Sequence, residues 1–264
     1  MVVDNTALDA VLNPSVDENG GIAPVPASEL KVAGITPFTS IDFPGRLSAV
    51  IFVQGCPCRC SYCQNAWMQP RSFDVRLAHN TWADVQTLLE KRKGLLDAVV
   101  FSGGEPTVDP ALQSAIEWVK AEGYAVGLHT SGVYPRRLAK LLPLLDWVGL
   151  DVKAPPQDAI HYESVTNLKK SATLFKQSFD LLRASSVEVE YRTTAHPAYL
   201  DEDSLEDIAS FLEEQGVDSW VVQIYRRPSG GVVNLFPSVL ETWPSHAFIA
   251  RQQERFKQFH IRRT

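Results

Sequence analysis

Six short apolar runs punctuate the chain: LSAVIFVQG (47–55), AVVFSGG (98–104), AVGLHTSG (125–132), WVGLDVKA (147–154), VEVEYRTT (187–194) and WVVQIYRR (220–227). Each is seven to nine residues long, rich in β-branched and aromatic side chains, and reads as a strand. Between them lie TWADVQTLLEKRK, PALQSAIEWVKAE, YPRRLAKLLPLL, SATLFKQSFDLLRAS and SLEDIASFLEEQ. These place apolar residues three and four apart, the period of a helix with one buried face. Strand and helix in alternation imply parallel βαβ units with right-handed crossovers. A doubly wound sheet and a barrel or partial barrel share that pattern, and periodicity does not separate them. Local signals agree: Asn80 or Thr81 caps the first helix, Asp109 with Pro110 starts the second, and Gly123 and Gly216 stand where helices stop.

The pattern is different at the two ends. Residues 1–29 are small and polar, with Asn19-Gly20-Gly21, Pro24 and Pro26 close together, and are expected to form an extended or poorly ordered arm. Residues 30–264 then form a single domain, and HAFIARQQERFKQFHIRRT at its end reads as a basic amphipathic helix and tail. The amino terminus has an acid where a secretory leader carries Lys or Arg, and no run approaches the ~20 apolar residues that span a bilayer. A cytoplasmic protein with no membrane partner is expected. With 25 Lys+Arg against 31 Asp+Glu, the net charge of -6 leaves no basic face for phosphate neutralisation, so no nucleic acid is expected as a partner.

The candidate chemistry is concentrated in one place. All 4 cysteines of the chain fall in QGCPCRCSYCQN, directly after the first strand. In parallel α/β folds, ligands bind at the C-terminal ends of strands. In a reducing compartment, clustered thiols serve as ligands or redox groups more readily than as disulfides. The spacing Cys56-x-x-x-Cys60-x-x-Cys63 can wrap three thiolates around three corners of an iron–sulfur cube, leaving one iron open because the chain has no distant fourth cysteine. Structural zinc is the rival reading, since four cysteines make a tetrahedral site, but such sites usually join two separated pairs. Cys58 lies between the first two and is expected to pack as a small buried residue.

Cys56-Pro-Cys-Arg-Cys60-Ser-Tyr-Cys63 resembles the cluster motif of the radical S-adenosylmethionine (SAM) enzymes. The resemblance implies a partial (β/α)6 TIM-like barrel, open on one side, holding one [4Fe–4S] cluster on Cys56, Cys60 and Cys63, with SAM chelating the open iron. Tyr62 stands where that family sets a ring against adenine. Ser102-Gly103-Gly104-Glu105-Pro106 is similar to the segment that binds the SAM amino group, with Glu105 offered as an acceptor for the ammonium. Thr130 and Ser131 at the third strand end, and Asp151 and Lys153 at the fourth, correspond to positions that contact SAM or line the substrate space. Alternation puts Asp151 and Lys153 on the same side of their strand. Arg192 matches an arginine that reaches the SAM carboxylate. His129 departs from an Asp common at that position, so the resemblance does not support a monovalent cation there.

Thr39-Ser-Ile-Asp42-Phe-Pro-Gly45 is a turn by its Pro-Gly pair. It also resembles a segment of the small glycyl-radical activating enzymes, where the Asp lies near the incoming glycine loop. The resemblance extends to the activases of anaerobic ribonucleoside-triphosphate reductase. It implies an oxidoreductase that cleaves SAM reductively and takes a hydrogen from a glycine of that partner, with Asp42 and Lys153 beside the chemistry. The expected electron donor is of flavodoxin or ferredoxin type. The alternatives are an activase of formate-lyase type, a modifier of a small molecule or RNA, and an iron–sulfur electron carrier.

Overall fold

The computed structural model describes residues 24–60, 62–74, 76–226 and 241–263. Most of the expected arm, residues 1–23, lies outside the described residues; Ala27–Glu29 form one 3-10 turn. Eight strands follow: β1 (Val32–Thr39), β2 (Ser48–Val53), β3 (Ala98–Gly103), β4 (Ala125–Thr130), β5 (Trp147–Asp151), β6 (Glu188–Ala195), β7 (Ser219–Ile224) and β8 (Gln258–Arg262). They form one sheet in sequence order, β1 antiparallel to β2 and every later pair parallel. Parallel strands that follow each other without reversal curl into a barrel wall, and β1 and β8 are the edges at which this wall is open.

Among the described residues seven helices cover the outside: α1 (Trp82–Lys91), α2 (Leu112–Ala121), α3 (Pro135–Leu141), α4 (Ala159–Thr166), α5 (Ser171–Arg183), α6 (Glu202–Glu214) and α7 (His246–Arg255). Thr81 caps α1, accepting from the Asp84 amide while the Asp84 carboxylate accepts from the Thr81 amide. Helix α2 starts two residues later than Asp109-Pro110 suggests, because Asp109 accepts from the Ala111 amide at 2.9 Å and closes a turn first. Gly123 and Gly216 adopt φ of +91° and +68° just beyond their helices, as the stop signals require. Among the described residues no helix is long and apolar enough to cross a membrane.

The structure adds two strands, β1 and β8, and one helix, α4, to the six strands and six helices legible in the sequence, the C-terminal helix included. Gly34 and Pro37 interrupt the alternation of β1, whose register against β2 is irregular; an edge strand tolerates both. The expected C-terminal helix and tail divide at Phe256. Residues 258–262 pair with β7, and Phe256 and Phe259 close over Trp220 with ring centroids 5.7 and 5.5 Å from it. Helix α4 carries Ile160 at 85% exposure, so it shows no clean apolar stripe.

The main core fills the space between strands and helices, with Val85, Leu112, Ile116, Phe175, Ile208 and Trp220 fully buried. Each such side chain stabilises by about 1.5–3 kcal/mol. A second cluster of Phe43, Val50, Ala98, Val100 and Trp147 fills the lower lumen, with Phe43 stacked on Trp147 at 5.3 Å. Above this plug the lumen is polar. Arg262 grips Glu190 through two hydrogen bonds of 2.8 and 2.7 Å, and Ser102, His129, Asp151 and Arg192 point into the space above.

Candidate active site

The C-terminal ends of β2 to β6 converge on a cavity of about 870 Å³, counting its open mouth. One wall is the cysteine loop that leaves β2. Cys56, Cys60 and Cys63 face the cavity, and all four cysteines are free of disulfides. Cys58 also touches it but is 1% exposed and belongs to the core. Hydrogen bonding to Cys56 and Cys60, together with burial, pushes the Cys58 thiol well up, while the same bond from Cys58 draws Cys60 down to about 7. Burial pushes Cys63 up. Among the described residues no three His, Cys, Asp or Glu groups gather on one point as a single ion requires. Cys56, Cys60 and Cys63 on one cavity wall have the donor chemistry of a thiolate-held iron–sulfur cluster.

The loop is clamped from behind. The Gly55 amide donates to the Met68 carbonyl at 2.7 Å and the Cys56 amide to Gln69 at 3.0 Å. Buried Gln54 donates to the Pro70 carbonyl at 2.7 Å. Arg71 reaches the Gln54 carbonyl and ion-pairs with buried Asp109 at 2.6 Å. Arg59, inside the motif, directs Nη1 to the carbonyls of Cys56 and Cys58, the latter at 2.9 Å, while its amide donates to Thr166 at the end of α4 at 2.8 Å. Charge-assisted bonds of this kind contribute about 1.5–3 kcal/mol each. Arg59→Ala is expected to lower the iron and sulfide retained per chain after anaerobic reconstitution, and Arg59→Lys to recover part of it. Wild-type iron content in Arg59→Ala would exclude this role.

The opposite wall comes from β3 and β4. Gly103 has φ +120°, and a Cβ there would lie 2.4 Å from the Val53 amide nitrogen; a Cβ on Gly104 would lie 2.3 Å from the Gly55 carbonyl oxygen. The glycine pair lets the β3 exit lie against the cysteine loop itself, with Gly104 donating to Val53 at 3.0 Å and Glu105 to Gly55 at 2.8 Å. Glu105 does not line the cavity. It is 1% exposed, and its carboxylate accepts from the Thr107 amide and hydroxyl, the Thr130 hydroxyl at 2.8 Å, and the Ser131 amide and hydroxyl. Five protein donors fill the roughly four lone-pair directions of a carboxylate. In this structure Glu105 shapes the Thr130-Ser131 exit of β4 rather than offering an acceptor to a ligand.

The floor is a charged triad. Arg192 donates to Asp151 Oδ1 through Nε at 3.2 Å and Nη2 at 2.8 Å, and Lys153 reaches Oδ2 at 3.3 Å. Asp151 and Arg192 stand opposite each other in the β5–β6 register. Burial alone would raise the Asp151 carboxyl, but Arg192 and Lys153 hold it below the usual carboxylate range. Burial likewise opposes the Lys153 ammonium, and Tyr62, Asp151 and the thiols outweigh it, so Lys153 stays charged. Tyr62 lines the cavity and packs on Tyr199 at 5.7 Å. Its buried hydroxyl has no hydrogen-bond partner among the described residues, which suits a bound polar group. Tyr225 and His196 pack edge-on at 5.6 Å behind the site, and Arg226 and Gln223 line a second cavity described below.

Three thiols on one wall, glycine-lined strand exits opposite and a charged floor fit a thiolate-held cluster beside a zwitterionic ligand with an aromatic base. Residues 50–213 match the radical SAM superfamily. A Methanocaldococcus jannaschii chain assigned by name to the glycyl-radical enzyme activating enzymes is 32% identical over 69% of this chain and 75% of its own length. The pyruvate formate-lyase-activating enzyme of Clostridium pasteurianum is 31% identical over 49% of this chain and 54% of its own. Among solved structures, QueE from Escherichia coli shares the fold, with a TM-score of 0.51 at 14% identity over 88% of this chain and 92% of that one. The chain therefore belongs to the radical SAM superfamily, whose enzymes use a [4Fe–4S] cluster and SAM. Within it, the chain is an enzyme of the glycyl-radical activating type.

Proposed function

We propose that this enzyme installs a glycyl radical on anaerobic ribonucleoside-triphosphate reductase, drawing its electron from a flavodoxin or ferredoxin-type protein in the cytoplasm. The observation that carries the reading is the seating of the Thr39–Gly45 turn at the edge of the cofactor cavity. Thr39 Oγ1 donates to Asp42 Oδ2 at 2.7 Å, and the Asp42 carbonyl meets His129 Nε2 at 3.0 Å. Ile41, 62% exposed, and Asp42 then flank a second cavity of about 720 Å³ that shares Gln64, Arg192 and Thr194 with the first. A protein loop entering there would meet amide and hydroxyl partners in Gln64, Gln223 and Thr194, close to the cofactor.

A cluster held by Cys56, Cys60 and Cys63, with SAM beside it, would supply the one-electron reductive cleavage of SAM needed to take a hydrogen atom from the glycine Cα. The chain's own residues hold and position. Cys56, Cys60 and Cys63 are assigned as the iron ligands, and Tyr62 as the ring against adenine. Ser102, Gly103, Gly104, Thr130 and Ser131 border the ligand with backbone and hydroxyl groups. Arg192 and Asp151 are oriented by each other toward the carboxylate and ammonium of SAM, and Lys153 places a fixed positive charge beside the thiolates. Fixing both reactants in one geometry and excluding stray hydrogen donors is the protein's contribution to rate.

Mixing the reduced enzyme, SAM and the reductase without oxygen is expected to give a persistent organic doublet on the reductase by electron paramagnetic resonance. A doublet only on a formate-lyase would move the assignment to that partner. 5′-Deoxyadenosine without any protein radical would indicate a small-molecule or RNA substrate, and its absence a mere electron carrier.

A further inference from the structure

We propose that His129 is a positioning residue that ties the substrate-side turn to the cofactor cavity, holding the Asp42 carbonyl through one ring nitrogen and the Ser102 hydroxyl through the other. This rests on the reading above only for the identity of what docks on the turn. The two contacts are His129 Nε2 to Asp42 O at 3.0 Å and His129 Nδ1 to Ser102 Oγ at 3.2 Å. A carbonyl oxygen only accepts, so Nε2 carries the hydrogen; Nδ1 is then the acceptor and Ser102 the donor. One ring thus fixes the direction of a hydroxyl on the cofactor wall and the position of a turn that reaches the second cavity.

The surroundings keep the ring in that role. His129 packs edge-on against Trp147 at 5.4 Å, and Trp147 in turn stacks on Phe43, the residue after Asp42. The turn is therefore held to the barrel at two successive residues, by a polar contact to β4 and an apolar one to β5. Burial, reinforced by nearby Arg192, pushes the imidazole down to about 3, so the neutral tautomer persists at every working pH. A protonated ring would donate at both nitrogens and turn the Ser102 hydroxyl away. The hydroxyl direction at the cofactor wall is set by this ring.

Two amide substitutions separate the arms, because asparagine places a polar atom near Nδ1 and glutamine near Nε2. His129→Asn keeps the Ser102 contact and loses the Asp42 contact. It is expected to raise KM for the protein partner about tenfold, the loss of one buried hydrogen bond, with SAM affinity within about twofold of wild type. His129→Gln is expected to do the reverse, weakening SAM binding about three- to tenfold, read by equilibrium dialysis of the reconstituted enzyme, with partner KM nearly unchanged. Thermal melting of both variants checks that they are folded. Equal effects of the two variants on both constants, or no effect of either, would overturn the proposal. If wild-type enzyme forms no radical on any partner, the functional reading fails while the SAM-affinity comparison still decides the role of His129.

Discussion

Replacing Cys56, Cys60 or Cys63 with alanine is expected to remove the brown four-iron chromophore and reduce 5′-deoxyadenosine formation to background, while Cys58→Ala keeps most of both. Consecutive cysteines are two or three positions apart, so sequence distance does not distinguish them. Their environments do. Cys56 and Cys63 are partly exposed on the cavity wall, and Cys60 is buried but has its thiol drawn down to about 7. Cys58 is 1% exposed, packed in the main core, and its thiol is held protonated by its neighbours. An iron ligand must be a thiolate that can face the cluster; Cys58 touches the cavity only from within the core, and hydrogen bonds to Cys56 and Cys60 hold its thiol protonated. Its removal leaves a cavity the size of a thiol, costing on the order of 1 kcal/mol, which lowers melting temperature without stripping iron. Iron and sulfide per chain, absorbance near the charge-transfer band and product formation are the measurements. Equal loss in all four variants would overturn the three-ligand assignment.

The sequence made this much of the site legible because the cysteines, Gly103-Gly104, Thr130-Ser131 and the Asp151-x-Lys153 pair all sit at ends of strands whose period is clear. Their convergence follows from parallel winding alone. What the sequence could not supply depends on register and on neighbours from distant segments. The pairing of Asp151 with Arg192 needs the β5–β6 register, which a single residue of slip would undo. Phe43 inside the lumen lies in a segment whose Pro-Gly pair reads only as a turn. The resemblance of Ser102–Pro106 to a SAM-binding segment offers the Glu105 carboxylate as a ligand acceptor. Only the structure brings Thr107, Thr130 and Ser131 onto its two oxygens. His129 carried one usable signal, its position one residue before Thr130 on the strand face shared with Ser102 and Asp151. Strands β1 and β8 escaped because Gly34 and Pro37 broke one alternation, and β8 is only five residues long and follows α7 with no glycine or proline between them.

Gly104→Ala is expected to cost the enzyme both stability and its cluster, and Gly123→Ala only a little stability. The added methyl at Gly104 would lie 2.3 Å from the Gly55 carbonyl oxygen, 2.8 Å from its carbon and 3.1 Å from Cys56 Cβ. All three belong to backbone or to the root of the Cys56 side chain, a proposed iron ligand, so no flexible tip can move aside. The β3 exit must retreat from the cysteine loop, breaking the Glu105 amide bond to Gly55 and displacing Cys56. Overpacking of this kind costs about 1–3 kcal/mol, and a rigid obstacle puts it at the upper end. For a chain of this size that is a fall in melting temperature of about 6–12 °C. Displacement of one thiolate then shows as lower iron retention than the stability loss alone explains. At Gly123 a methyl meets nothing within 4 Å, and only the φ of +91° opposes it. Strain without a clash costs about 1 kcal/mol, and iron content is expected to stay at the wild-type value. If Gly104→Ala melted within a degree of wild type and held full iron, the β3 exit would not be in contact with the cysteine loop in the working enzyme. The common wall that places the proposed SAM-binding backbone beside the cluster ligands would then not exist.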